Sequence, residues 1–110
     1  MKPAGWTRTW TVPPEHPAFP GHFPGRPITP GVVLLDQALI FLGQELGMPI
    51  ASCRLGAAKF LSPVEPGEFL TFAFQPRGAN GVQVDIRAGE RLAASASVQI
   101  HTPAVLSAPA

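Results

Sequence analysis

The sequence has few of the residues that cross-link a protein or charge it strongly. Its one cysteine, Cys53, cannot form an internal disulfide, and it has no base close by in the sequence to activate it as a nucleophile. Charged residues make up 14% of the chain, and eight basic against seven acidic residues leave a formal net charge of +1. Because these charges are scattered, no basic stripe exists to bind a phosphate backbone, and we expect no nucleic-acid partner.

Two further absences concern metals and membranes. The three histidines His16, His22 and His101 lie far apart and lack the spacing of metal ligands, so we expect neither a bound metal nor a cofactor. The most apolar segment, residues 32–42, is too short to cross a bilayer and is interrupted by Asp36. The N-terminus lacks the apolar core of a secretory signal, and we therefore expect a cytoplasmic protein without a membrane span.

The length of the chain predicts one domain and more than one subunit. We expect a single domain over residues 1–110, with residues 103–110 forming a frayed tail of simple composition. A chain of this length buries about two-thirds of its unfolded surface, which leaves a small core. Together with the low charge, this suggests that another subunit covers part of the apolar surface, in a homodimer or a higher homo-oligomer.

Prolines separate the first strand from the helix. Seven of the 14 prolines lie in residues 13–30. Because proline fixes φ and lacks an N–H, this region is predicted to be a stiff, irregular loop. Thr29 is predicted to be the N-cap of a helix with Pro30 at the first helical position. This helix is expected to run to about Leu46, where Gly47 ends it.

The apolar pattern predicts an α+β fold, with one antiparallel sheet wrapped around one long central helix. Apolar residues surround most of the predicted helix, which indicates that the helix is buried. Residues 82–87 and 94–100 alternate between apolar and polar, as half-buried strands do. Strands are predicted at Trp6–Val12, around Arg54–Leu61, at Phe69–Gln75 and over the two alternating segments, with hairpin turns at Asn80–Gly81 and Ala88–Glu90.

One loop carries a family resemblance. The segment HFPGRPITPG at residues 22–31, followed by Asp36, resembles the signature of 3-hydroxyacyl-[acyl-carrier-protein] dehydratases of the hot-dog fold. In that family the loop histidine precedes the helix carboxylate by 14 positions, as His22 precedes Asp36 here. The segment KFLSPVEPGE at residues 59–68 is also similar. The resemblance implies a hot-dog dimer whose active sites combine histidine and carboxylate from different subunits, and acyl carrier protein as the partner.

The implied reaction is dehydration of a 3-hydroxyacyl thioester to the trans-2-enoyl thioester, in a fatty-acid-like or polyene-like biosynthesis. It requires a base at C2, an acid for the departing hydroxyl and donors for the developing enolate oxygen. His22 is the candidate base, and Asp36 is the candidate acid because burial on an apolar helix would keep it protonated. The amides of Gly31 and Val32, in the first helical turn, are the candidate oxyanion hole.

Other interpretations stay open. Taken alone, His22 could be a structural loop histidine, and Asp36 could be exposed or paired with an arginine. Many family members have glutamine four positions after the carboxylate, where this chain has Ile40. One alternative function is a hot-dog acyl thioesterase, against which the His22 loop argues. Another, for which Ile40 leaves room, is a non-catalytic acyl-binding subunit of a hetero-oligomer. Carrier-protein contacts are a further possibility for three basic residues, although ordinary solvated charges are commoner; these are Arg26, Arg54 and Lys59.

Overall fold

The computed structural model describes residues 5–13, 28–49 and 53–100. These residues form a single antiparallel sheet and one long helix, which confirms the predicted α+β architecture. The elements in chain order are β1 (Trp6–Thr11), α1 (Gly31–Leu46), β2 (Cys53–Phe60), β3 (Phe69–Arg77), β4 (Gly81–Ala88) and β5 (Arg91–Ile100). The sheet order is β1-β3-β4-β5-β2, so that β1 and β2 are its edge strands.

Helix α1 ends where the sequence predicts but begins one residue later. After Leu46, Gly47 adopts the left-handed conformation with φ 68°, and its amide donates to the Gly43 carbonyl; glycine allows this because it has no Cβ. The prediction of Thr29 as the N-cap is wrong. Pro30 is the N-cap, with an extended ψ of 144°. The Thr29 amide instead donates to the Val64 carbonyl at 2.7 Å, which ties Thr29 to the segment before β3.

The core lies between α1 and the inner face of the sheet. The alternation predicted for β4 and β5 is confirmed, because their apolar side chains are buried and the polar residues between them lie on the outer face. Aromatic rings join the layers: Phe41 of α1 meets Phe72 edge to face, with ring centroids 5.3 Å apart. The largest fully buried side chains are Phe72, Phe74, Leu42, Leu70, Ile86, Val12, Val64 and Val84.

The two hairpin turns differ in how well the sequence places them. Gly89 and Glu90 form the turn between β4 and β5, as predicted, with Gly89 at a φ of 65°. The turn predicted at Asn80–Gly81 lies earlier, at residues 78–80, and Gly81 is already the first residue of β4. Its left-handed glycine is Gly78, with a φ of 66°. Asparagine followed by glycine therefore marks the end of this turn.

Only one side of α1 is covered by the described part of the chain. Leu34, Ala38 and Leu42 face the sheet and are buried, whereas Val32 is 70% exposed and Asp36 is also exposed. The expectation of a helix buried all round is therefore wrong for the single chain, because its one sheet covers only one helix face. Within the described residues, no helix is long and apolar enough to span a membrane.

Candidate functional site

The N-terminus of α1 presents backbone donors that the described part of the chain leaves without an acceptor. The Val33 amide donates to the Pro30 carbonyl at 3.0 Å. Gly31 and Val32 occupy the two preceding helical positions, and in the described ranges their amides have no backbone acceptor. The first turn contains no acidic side chain that could compete for them. Unpaired amides and the helix dipole together favour a negatively charged or polarised oxygen at this point.

A cavity of about 480 Å³ opens at this end of the helix. Residues 28–32 form one side and residues 60–64 the other. Its rim includes the exposed apolar side chains of Val32, Phe60 and Leu61, which are 70%, 53% and 55% accessible. An apolar cavity with a few convergent polar donors is the usual form of a small-molecule site.

The ring of Phe60 lies against Gly31. A Cβ atom on Gly31 would lie 2.5 Å from Cε1 and 2.6 Å from Cζ of this ring. These distances are far below the 3.5–4.0 Å at which carbon atoms attract each other best. A side chain at position 31 would therefore require the Phe60 ring to move aside, which favours glycine at this position.

Asp36 lies further along the same helix, on the side away from the sheet. It follows Val32 by four residues, so the two side chains share one helix face. At 1.5 Å per residue, Asp36 is about 7.5 Å along the axis from Gly31. Among the described residues it has no ion-pair partner, and it is exposed. The burial predicted to keep Asp36 protonated is therefore absent in the single chain, because nothing described covers this face.

The structure brings three of the four predicted site residues onto one helix. Gly31 and Val32 border the cavity, and Asp36 follows on the face that Val32 shares. The fourth, His22, lies outside the described residues. The catalytic roles assigned to all four stay predictions.

Sequence reasoning missed Phe60 and Leu61 as walls of the cavity. The signal was present in the segment KFLSPVEPGE, where two adjacent large apolar residues stand at the end of β2, but their position opposite Gly31 depends on the sheet order. Burial raises the pKa of the Cys53 thiol, which makes it a weaker nucleophile. In residues 5–13, 28–49 and 53–100, no three His, Cys, Asp or Glu side chains are grouped to hold a metal ion.

Two kinds of comparison identify relatives by sequence. The family model of ApeI-like proteins, described as ApeI dehydratase, matches residues 2–97. The 3-hydroxyacyl-[acyl-carrier-protein] dehydratase FabZ of Chlamydia trachomatis is 41% identical over 66 residues, covering 52% of this chain and 43% of the relative. FabZ of Alkaliphilus metalliredigens is 35% identical over 95 residues, covering 76% of this chain and 65% of the relative. The chain thus spans less than two-thirds of the length of these curated relatives.

Solved structures share the fold. The dehydratase heterocomplex ApeI:P from Xenorhabdus doucetiae matches with a TM-score of 0.69 at 19% identity, covering 93% of this chain and all of that chain. The (R)-hydratase from A. caviae matches with a TM-score of 0.56 at 19% identity, covering 87% of this chain and 93% of that chain. These likenesses establish the hot-dog fold. Because the family model covers most of the sequence, the chain belongs to the ApeI-like family, whose model is described as ApeI dehydratase.

Proposed function

We propose that this protein removes water from a 3-hydroxyacyl thioester carried by acyl carrier protein and forms the trans-2-enoyl thioester. The observation that carries the proposal is the arrangement on α1, where the first-turn amides of Gly31 and Val32 border an apolar cavity and Asp36 follows on the face that Val32 shares. The FabZ dehydratases among the relatives support this reaction class.

Each step has a candidate residue in this chain. His22 takes a proton from C2, and the electron pair of that C–H bond moves toward the thioester carbonyl. The amides of Gly31 and Val32 donate to the carbonyl oxygen as its negative charge grows. Asp36 gives its proton to the hydroxyl at C3, the C–O bond breaks, and water leaves as the C2–C3 double bond forms. Proton transfer from His22 back to Asp36 then restores both residues.

A second copy of the chain is part of this proposal. A carboxyl group stays protonated near neutral pH when its surroundings are apolar, and the single chain leaves Asp36 exposed. Val32, four residues earlier on the same face, is 70% exposed, so an apolar side chain and a carboxyl group lie uncovered side by side. We infer that a second subunit covers this face and supplies His22 to the Asp36 of the first.

A second candidate function is an acyl-binding subunit of a hetero-oligomer. The observation that favours it is the match to the dehydratase heterocomplex ApeI:P, which is an assembly of different chains. The same exposed helix face would then bind a different hot-dog chain. The thioesterase alternative rests on fold alone, since the fluoroacetyl-CoA-specific thioesterase FlK matches at 16% identity with a TM-score of 0.59, covering 91% of this chain and 88% of that chain.

The test follows two products from one substrate. Purified protein is given a 3-hydroxyacyl thioester on acyl carrier protein and, separately, on coenzyme A, and mass spectrometry follows water loss while a thiol reagent follows thioester cleavage. Water loss without thiol release supports the dehydratase. Thiol release would instead identify a thioesterase, and no change in either channel would favour the acyl-binding subunit.

The roles of Asp36 and His22 are tested by matched variants. Asp36→Asn keeps the shape and removes the proton, and His22→Ala removes the base; each should lower kcat by about a hundredfold or more. Asp85→Asn is the control for the carboxylate, since Asp85 lies on the outer face of the sheet and contacts Ser95 there. Mixing the two inactive variants should restore activity if the site is shared between subunits. Near-normal turnover by either single variant would contradict the mechanism.

A further inference from the structure

Phe60 occupies an unusual position for a large aromatic side chain. It ends the edge strand β2 and pairs with Ala94, which is fully buried on the inner face of the sheet. Directly opposed residues on neighbouring strands point to the same face, so Phe60 lies on the side of the sheet that carries α1. Its side chain is nevertheless 53% exposed. Burial in the core therefore accounts for little of its placement.

The contacts of the ring lead to the helix N-terminus. Three atoms of the ring, Cδ1, Cε1 and Cζ, lie within 3.0 Å of the point where a Cβ on Gly31 would be. The ring thus fills the space that the missing side chain leaves, and it lines the same cavity as Gly31 and Val32. A flat apolar surface consequently lies beside Gly31, in the cavity that the Gly31 and Val32 amides border.

An apolar ring beside free amides has two physical effects. It limits the directions in which the Gly31 peptide group can tilt, because movement toward the ring is blocked. It also excludes water from one side of the donors, and a hydrogen bond to a developing negative charge is stronger where water is excluded. Charge on the oxygen grows mainly on the way to the transition state, so both effects should change kcat more than KM.

We propose that Phe60 is a positioning residue of this site. Its ring orients the Gly31 and Val32 amides and keeps water away from them. This inference rests on the proposed function of the site. Phe60 transfers no proton and donates no hydrogen bond; it acts through the two amides. Its loss should therefore cost less than the loss of an oxyanion donor, which lowers kcat by about a hundredfold or more in other enzymes.

The kinetic test compares two phenylalanines of similar exposure. Phe69 is 58% exposed and precedes the buried Leu70, so its side chain lies on the opposite face of the sheet, away from α1. Phe60→Ala should lower kcat by about tenfold with KM little changed, and Phe60→Leu should lower it less, because an apolar side chain remains. Phe69→Ala and Phe69→Leu should leave both constants unchanged. Unchanged kcat in Phe60→Ala, or a rise in KM alone, would overturn the proposal.

A second measurement needs no turnover. In a two-dimensional amide NMR spectrum, replacing the ring by leucine should shift the signals of Gly31 and Val32 in Phe60→Leu and leave them in place in Phe69→Leu. If the wild-type protein shows no dehydration, the proposed function fails, and the contact is judged on these signals alone. Unmoved signals in Phe60→Leu overturn the positioning role whatever the protein's activity.

Discussion

Gly31→Ala tests the contact on which the architecture of the site depends. The new Cβ would lie 2.5 and 2.6 Å from two atoms of the Phe60 ring. Restoring a distance of about 3.5 Å requires a movement of about 1 Å. Because Phe60 is half exposed, its ring can rotate toward solvent, and the backbone need not shift. We therefore expect a cost at the lower end of the range for overpacked sites, about 1 kcal/mol of unfolding free energy.

The clash is separated from other effects of alanine by a double-mutant cycle. Alanine also raises helix propensity relative to glycine, by up to about 1 kcal/mol within a helix, so the single variant alone mixes two contributions. In a Phe60→Ala background the clash is gone, and only the propensity remains. The change in unfolding free energy caused by Gly31→Ala should thus be less favourable in the wild-type background than in the Phe60→Ala background. The expected difference is about 1 kcal/mol, or about 4 °C in Tm for a chain of this size.

Urea or thermal unfolding of the four proteins measures this difference. The wild type, both single variants and the double variant are compared at one protein concentration, since unfolding of an oligomer depends on concentration. Equal effects of Gly31→Ala in both backgrounds would refute the reasoning, because they would show that the ring does not occupy the space beside Gly31.

Two further predictions concern the ends of α1. The Thr29 hydroxyl is buried, and the described part of the chain offers its oxygen no hydrogen-bond partner, so Thr29→Val should raise the unfolding free energy by about 1 kcal/mol. Thr29→Ser keeps the hydroxyl and is the control; a loss of stability in Thr29→Val would show that the hydroxyl is paired in solution. Gly47 has a φ of 68°, so Gly47→Ala should lower Tm at a cost of about 1 kcal/mol, whereas Gly47→Asn should lower it less. Equal Tm values for these two variants would argue against a left-handed cap.

Local chemistry allowed much of the fold to be predicted from the sequence. The end of α1 at Gly47 follows from the conformational freedom of glycine, and the strands follow from alternation, because side chains point to alternate faces. The turn before β4 was misplaced, since the signal at Asn80–Gly81 does not specify which residue of the turn becomes left-handed. Thr29 lies one residue before the N-cap Pro30, where its amide donates to the Val64 carbonyl, a contact between distant segments that no local signal predicts.

The candidate site was predictable only in part. Gly31, Val32 and Asp36 lie on one helix, so their order along its axis follows from the regular rise and rotation of an α-helix. The meeting of Phe60 with Gly31 could not be read from the sequence, because it depends on β2 pairing with β5 at the edge of the sheet. The exposure of Asp36 was likewise decided by tertiary structure, since one sheet covers only one side of a helix. The sequence by itself thus determined the local elements and the residue types of the site, through propensities and spacing that act between neighbours. Only the tertiary structure decided which surfaces meet, because strand pairing joins segments that no local rule connects.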